Sequence, residues 1–450
     1  MEQYDQGMDC FTHVFGEGRG VPNGPQAVFL AEPVRMGDSF ILRRNGHVVA
    51  IDGGVGNQDH SYLVKLTKGG PVDVLVCTHA DDDHISGTTD ILCTPGAREL
   101  WVPADWASLV RTIYADRTPI AERLTKDLRR LLRRHVHQAE LAPVSADEAL
   151  EGLEPFFPPD ARVTKQRSER PEEHRRAKRE SPRSPDLSAQ LPHGIPDAVK
   201  SNPPQLPHDL GPLPLELDML LVRLGYGPLP GGHTSIDAAR QDVWSLEGLE
   251  HAVVKAAIGA IHRIVLLLWL ARARNACVRL FAYEPTALVR PDPIRHGLLP
   301  INCKEVTKIP AGPKTLLEAT SLTVVNKRSL VFAAPPDDQC AGVLFCGDSE
   351  LDFLDAFIGG NSWRDLIVTA PHHGSKSNSD AYPRIERVLV HRPFRWVRSD
   401  KRQKQPPCAA YLQRPHACTR CGNRRAKVVR FDTGPNADWM PSEGDSCMCP

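Results

Sequence analysis

Net charge is what this sequence most plainly lacks. Lysine plus arginine number 55, as do aspartate plus glutamate, so the formal charge is zero. A protein-wide electrostatic pull toward nucleic acid is therefore excluded, and any such role must rest on a local basic surface. A secretory signal is also missing, because residues 1–20 have no basic stretch leading into an apolar core. Long apolar runs are scarce. The one membrane candidate, residues 252–271, carries Lys255, His262 and Arg263 and reads as a buried amphipathic helix. We therefore expect a cytoplasmic protein with no membrane association. Twelve cysteines without a secretion signal point to a reducing compartment, with buried or metal-binding thiols rather than disulfides. Aromatic residues vanish from residues 162–215, where Arg, Glu, Ser and Pro dominate. That stretch buries too little apolar surface to offset the entropy of ordering, which predicts a disordered insertion.

What remains is rich enough in apolar residues, at 41%, to build a core. The chain divides into a flexible arm (1–25), a first half-domain (26–161), the insertion (162–215), a second half-domain (216–390) and a basic, cysteine-containing C-terminal module or tail (391–450). Patterning predicts strands at 27–30, 39–42, 48–51 and 72–77, a loop after His84, and a strand at 99–102. Ordered structure resumes at 217–224, and a long helix is expected over 245–274. Further strands follow at 278–283, near 301, and at 322–325, 329–333, 343–346 and 366–370. A helix over 119–137 sets leucines on one face and Arg129, Arg130, Arg133 and Arg134 on the other. Those arginines suit either a solvated face or a positive rim for a phosphate-bearing substrate.

The densest chemistry follows the strand at 72–77. His79, Asp81, Asp83 and His84 fall within six residues. Imidazole plus carboxylate is a ligand set for zinc, manganese or iron, unlike thiolate cages or all-oxygen calcium sites. Alone, the stretch could be a polar surface loop. However, Asp52, Asp348 and the His372–His373 pair also sit just beyond apolar strands. Their recurrence points to one edge of a layered α/β fold where strand ends converge.

These residues resemble the metallo-β-lactamase fold hydrolases, and within them the competence-protein (ComEC-like) branch. Gly37-Asp38-Ser39 resembles the branch's opening Gly-Asp turn, and Asp52-Gly53-Gly54 its Asp-x-Gly. Thr78 to Gly87 resembles the signature His-x-His-x-Asp-His, with Asp81 in place of the second His. Asn326 and Ser329 resemble its Asn-x-x-Ser, Phe345-Cys346-Gly347-Asp348 the strand bearing a bridging aspartate, and His372-His373-Gly374-Ser375 the closing motif. The likeness runs from about residue 27 to 380. A third histidine common in the family has no clear counterpart, since His135, His137 and His233 lack a strand-end setting.

The resemblance implies a four-layer αβ/βα sandwich with two divalent ions, zinc or manganese, at one end of the sheets. On this basis His79 and Asp81 serve one ion. Asp83, His84 and one of His372 and His373 serve the other, and Asp348 bridges them. The remaining histidine is free to protonate a leaving group, so Asp83, His372 and His373 are the candidates for catalysis. Asp52 orients a ligand histidine, while Asn326 and Ser329 cap a turn nearby. Asp81 should favour harder ions such as manganese. The implied activity is hydrolysis of a phosphodiester, with DNA as the candidate substrate, by a hydroxide held between the ions, in a bacterial nuclease-type enzyme. The alternative is hydrolysis of a small lactam, lactone or thioester. In the C-terminal module, Cys418, Cys421, Cys447 and Cys449 suit either a structural zinc site or free thiols. Its basic stretches at 384–404 and 414–430 suit either a nucleic-acid face or a solvated tail.

Overall fold

The apolar runs fold as strands because alternate residues find a core on each side. In β1 (Ala27–Ala31), Val28 and Leu30 join one buried cluster while Ala27, Phe29 and Ala31 join another. This computed structural model describes residues 27–58, 60–115, 118, 120, 122–130, 248–286, 294–309, 315–320, 326–338, 340–354, 365–389, 392–400, 407–419, 427–434 and 437–442. The arm, the insertion and the stretches predicted at 217–224 and 322–325 lie outside them.

After β1 come β2 (Phe40–Arg44), β3 (His47–Ile51), β4 (Val72–Val76), β5 (Ala97–Pro103), β6 (Cys277–Tyr283), β7 (Leu299–Pro300) and β8 (Cys303–Val306). Then follow β9 (Phe332–Ala334), β10 (Val343–Phe345), β11 (Leu366–Thr369), β12 (Phe394–Arg398), β13 (His416–Cys418), β14 (Val429–Thr433) and β15 (Trp439–Pro441). The helices are α1 (Ser61–Thr67), α2 (Asp82–Cys93), α3 (Ala104–Ala115), α4 (Gly248–Ala273), α5 (Leu316–Thr320), α6 (Ala381–Val388) and α7 (Ala409–Leu412). Among the described residues the strands make two sheets, ordered β15-β14-β1-β2-β3-β4-β5-β6-β8 and β13-β12-β11-β10-β9-β7. The mixed α/β class is thus the observed one.

Strands β3 to β6 run parallel, as do β10 to β12. Parallel neighbours end on the same side, so Asp52, His79, Asp348 and His372 follow strands that stop at a common edge of their sheet. One buried cluster contains residues of both sheets, among them Phe29, Val76, Trp101, Phe332, Phe345 and Val397. Ring contacts cross between the sheets, with Phe29 to Phe345 at 6.2 Å and Trp101 to Phe332 at 5.5 Å between centroids. A second cluster packs the other face of the larger sheet against α2, α3 and α4. A third packs the smaller sheet against α6 and α7 through Tyr382, Ile385 and Tyr411.

Two expectations change. The segment after His84 is helix α2 rather than a loop. Asp82 and Asp83 occupy its first turn, where their charge complements the helix dipole, and Ile85, Ile91 and Leu92 are buried. The poor helix formers Gly87, Thr88 and Thr89 are buried too, so packing overrides propensity. Residues 391–450, expected as a C-terminal module or tail, instead supply strands to both sheets. β12 extends the smaller sheet beside β11, and β14 pairs antiparallel with β1. Trp396, Phe431 and Trp439 are buried there, apolar anchors that the surrounding basic residues disguised. The predicted helix at 119–137 is described over 122–130, with Arg129 and Arg130 exposed and the later arginines outside the described residues. Helix α4 is long and apolar enough to cross a membrane by length and composition, yet Val254, Ile258, Ile261 and Leu268 are buried in the cluster it shares with α2.

Candidate metal centre

The β2–β3 hairpin carries a carboxylate at each end. Asp38 precedes β2 and Asp52 follows β3, and both are buried. Gly54 N–H donates to the Asp38 carbonyl at 2.7 Å, tying the two ends together. Asp52 has a left-handed backbone, φ 56°. That conformation is tolerated by aspartate and turns its side chain toward the end of β4. There its Oδ1 accepts the Thr78 N–H at 2.8 Å, while Oδ2 accepts the Thr78 hydroxyl at 2.7 Å. Asp52 Oδ2 also lies 2.9 Å from His84 Nδ1. His79 Nδ1 lies 2.9 Å from Thr78 Oγ1. Because the Thr78 hydroxyl donates to Asp52, it accepts from His79. Asp52 therefore holds a ring proton on Nδ1 of both imidazoles, directly for His84 and through Thr78 for His79, so that Nε2 is the nitrogen each neutral ring offers to an ion.

The Nε2 nitrogens converge on Asp348. Its Oδ1 lies 3.3 Å from His84 Nε2 and 3.5 Å from His373 Nε2. Its Oδ2 lies 3.5 Å from His79 Nε2 and 3.5 Å from His372 Nε2. Asp83 Oδ2 is 3.4 Å from His373 Nε2, and Asp81 Oδ2 is 3.7 Å from His79 Nε2. Asp348 thus faces two donor sets. One holds His79, Asp81 and His372; the other holds Asp83, His84 and His373. The histidine pair divides between them rather than leaving one member in reserve. Helix α2 begins between the sets, with Asp81 at its N-cap and Asp83 in its first turn.

The donor spacing fits metal ions better than hydrogen bonds. His84 Nε2 and His373 Nε2 stand 3.3 Å apart. Charge-assisted N–H···O bonds run at about 2.7–2.9 Å. Two ligands each about 2.1 Å from one tetrahedral ion stand about 3.4 Å from one another. The separations around Asp348, from 3.3 to 3.7 Å, cluster at that value. His79 Nε2 and Asp348 Oδ1 are buried with no hydrogen-bond partner. Asp38, His84, Asp348 and His373 gather in one buried group that could hold an ion, with Asp38 on the Nδ1 side of His373, and His79, Asp81 and Asp348 form a second such group.

Electrostatics reinforce this. Burial and His84 pull the His79 imidazole down, but Asp348 and Asp81 outweigh them and raise it to about 9. Burial also opposes the charge on His84 and His373, yet Asp348 with Asp52 raises the first, and Asp38 with Asp348 the second, well above the usual range. Burial would raise Asp348, but the four imidazoles hold it well below the usual carboxylate range. Burial likewise would raise Asp83, but His373 depresses it. The carboxylates here demand positive charge, which protons supply when ions do not.

Asn326 Nδ2 is 3.4 Å from Asp348 Oδ2. Ser329 Oγ lies 3.3 Å from His79 Nδ1 and accepts the Asp348 N–H at 3.2 Å. Both therefore touch the centre rather than merely cap a turn. From the sequence, Asp38 is named only within the opening Gly37-Asp38-Ser39 motif and is given no role in the site. Its Oδ1 lies 3.0 Å from His373 Nδ1. Gly37-Asp38-Ser39 repeats the tripeptide Gly347-Asp348-Ser349, and that repetition was the available signal. Gly37, at φ 88°, packs so tightly on Asp83 that a Cβ would overlap the Asp83 carbonyl. Cys418 is buried, while Cys421, Cys447 and Cys449 lie outside the described residues.

Compared with family models and with curated proteins, the chain matches none of either.

Proposed function

We propose that this protein is a metal-dependent hydrolase, acting on phosphodiesters in the manner of a nuclease, and that its fold is the four-layer αβ/βα sandwich of the metallo-β-lactamase type. The observation that carries the hydrolase reading is Asp348, whose two oxygens each face a separate His/Asp donor set at ligand spacing. The layered order of helix, sheet, sheet and helix implied by the buried clusters supports the fold. The phosphodiester class rests on the likeness of the motifs to the ComEC-like branch and on the oxygen-rich donor set. Two ions held there would supply an acidic water and a Lewis-acid grip on a phosphoryl oxygen.

The chain's own residues set the terms of that chemistry. Asp52 and Thr78 keep His79 and His84 in the tautomer that presents Nε2. His372, 30% exposed while the other three imidazoles are almost fully buried, is the most open of the four to an incoming substrate. Hydrolysis forms one P–O bond to water and breaks one to the leaving alkoxide, which must take up a proton. Asn326 lies beside Asp348 Oδ2 and can hold a phosphoryl oxygen by its amide.

The test is to purify the chain, measure bound zinc and manganese, and assay bis(p-nitrophenyl) phosphate and single-stranded DNA beside a lactam, a lactone and a thioester. Phosphodiester cleavage that disappears in Asp348→Asn and His84→Ala is expected. Cleavage that survives both substitutions refutes the two-metal reading, and activity confined to the small esters and lactams moves the assignment to a small-molecule hydrolase.

A further inference from the structure

Ser399 stands just past the end of β12, in the C-terminal part of the chain, and it is fully buried beneath the Gly37–Asp38 turn. Its hydroxyl accepts the Ser39 N–H at 3.1 Å. The hydroxyl hydrogen faces both Asp38 Oδ1 and the Gly37 carbonyl, each at 3.1 Å. The Ser399 carbonyl in turn accepts the Thr419 hydroxyl at 2.6 Å, and the Thr419 N–H donates to the Arg398 carbonyl at 3.2 Å. The residue after β13 thus fastens the one after β12. Asp38 Oδ1, fixed from below, lies 3.0 Å from His373 Nδ1. Its other oxygen is buried with no hydrogen-bond partner.

Each of the two imidazoles that face Asp348 Oδ1 therefore has a carboxylate behind it, hydrogen-bonded to His84 and in close ionic contact with His373. Asp52 stands behind His84 and is held by Thr78 of the same sheet. Asp38 stands behind His373 and is held across the gap between the sheets, by Ser399. His373 itself has a left-handed backbone, φ 53°, so its ring depends on such contacts for its direction.

We propose that Ser399 is a positioning residue for the half of the centre formed by His84, His373 and Asp348 Oδ1. By fixing Asp38 it aims His373 Nε2 at the ion, and it makes that ion's affinity depend on the docking of β12 and β13. The inference rests on the two-metal reading above. Losing a contact one step behind a ligand typically lowers metal affinity about ten- to a hundredfold. A purely structural role would lower stability without distinguishing the two ions.

The test is a zinc titration by calorimetry of the full chain, as wild type, Ser399→Ala and Ser399→Thr, with cobalt absorption spectra as a second readout. In Ser399→Ala one ion should keep wild-type affinity, while the other weakens about ten- to a hundredfold with a changed cobalt spectrum. Ser399→Thr, which keeps the hydroxyl, should restore both. Asp38→Asn should reproduce the selective loss, and it decides the matter if Ser399→Ala does not fold. Two ions bound by Ser399→Ala as by wild type, or both weakened equally, overturn this proposal alone. A wild type that binds no ion overturns it together with the two-metal reading.

Discussion

Replacing Asp52 by asparagine should disarm half of the centre while leaving the fold intact. Asparagine tolerates the left-handed backbone that position 52 adopts, so the turn survives. The hydrogen-bond pattern does not. Oδ1 accepts the Thr78 N–H, and Oδ2 accepts both the Thr78 hydroxyl and His84 Nδ1–H. An amide has one acceptor oxygen. If that oxygen takes the Oδ2 place, its NH2 meets the Thr78 N–H, donor against donor in a buried site. If it takes the Oδ1 place, its NH2 faces His84 Nδ1, which must then accept. The ring proton moves to Nε2 and blocks the nitrogen that faces Asp348. Either way one ligand is lost or misdirected. The expected loss is about ten- to a hundredfold in metal affinity, or about 1.4–2.7 kcal/mol. Chelator competition with zinc and with manganese measures it, and circular dichroism checks the fold. An Asp52→Asn protein that binds both ions as tightly as wild type would refute the claim that Asp52 sets the tautomer of His84.

Other expectations follow from the same geometry. Asp81→His puts an imidazole where a carboxylate faces His79, so the zinc-to-manganese ratio of bound metal should rise, as elemental analysis of protein purified from medium supplying both would show. Gly87→Ala drives a Cβ into the Gly53 carbonyl, where the start of α2 presses on the turn after β3, and should lower stability by about 1–3 kcal/mol, read from the urea midpoint. Without metal, His79 titrates near 9 in the folded chain against an ordinary 6.5. Its stabilising contribution is then complete below about 6.5 and lost as pH rises through about 9, so the metal-free melting temperature should fall between those values. In zinc-loaded protein the fall should vanish, and a fall of equal size there would contradict the assignment of His79 Nε2 as a ligand.

Much of the centre was legible because its residues are short-range signals. Each sits where an apolar strand breaks into His, Asp and Gly, and a strand end fixes direction as well as position. Asp38 escaped because it precedes its strand, and from one strand alone nothing says which histidine it will meet some 330 residues later. Ser399 escaped for the same reason, being an ordinary serine until β12 sets it under the Gly37–Asp38 turn. Helix α2 was hidden by Gly87, Thr88 and Thr89, whose propensities argue against a helix. Their positions answer instead to tertiary demands: Gly87 N–H donates to the Gly54 carbonyl at 2.8 Å, and Thr88 and Thr89 are buried in the packing of the helix. The C-terminal strands were missed because a few buried aromatics, spread among arginines and cysteines, do not make a period.

The His372–His373 pair shows how the chain solves a geometric problem that regular structure cannot. Neighbouring residues in a strand point to opposite faces, and in an α-helix they diverge by about 100°. Neither lets adjacent imidazoles address the two oxygens of one carboxylate. Here both residues are left-handed, with φ 47° and 53°. Their rings stand 85° apart in plane with centroids 5.6 Å apart, His372 facing Asp348 Oδ2 and His373 facing Oδ1. Such conformations cost on the order of 1–3 kcal/mol each and persist only when the surroundings impose them. The surroundings do so. His372 N–H donates to the Gly347 carbonyl at 3.0 Å, next to Asp348, and Cys408 N–H to the Gly374 carbonyl at 2.9 Å. The turn is thus stapled on one side to the strand end that carries Asp348 and on the other to the C-terminal part of the chain, so the strain is held where the two donor sets meet.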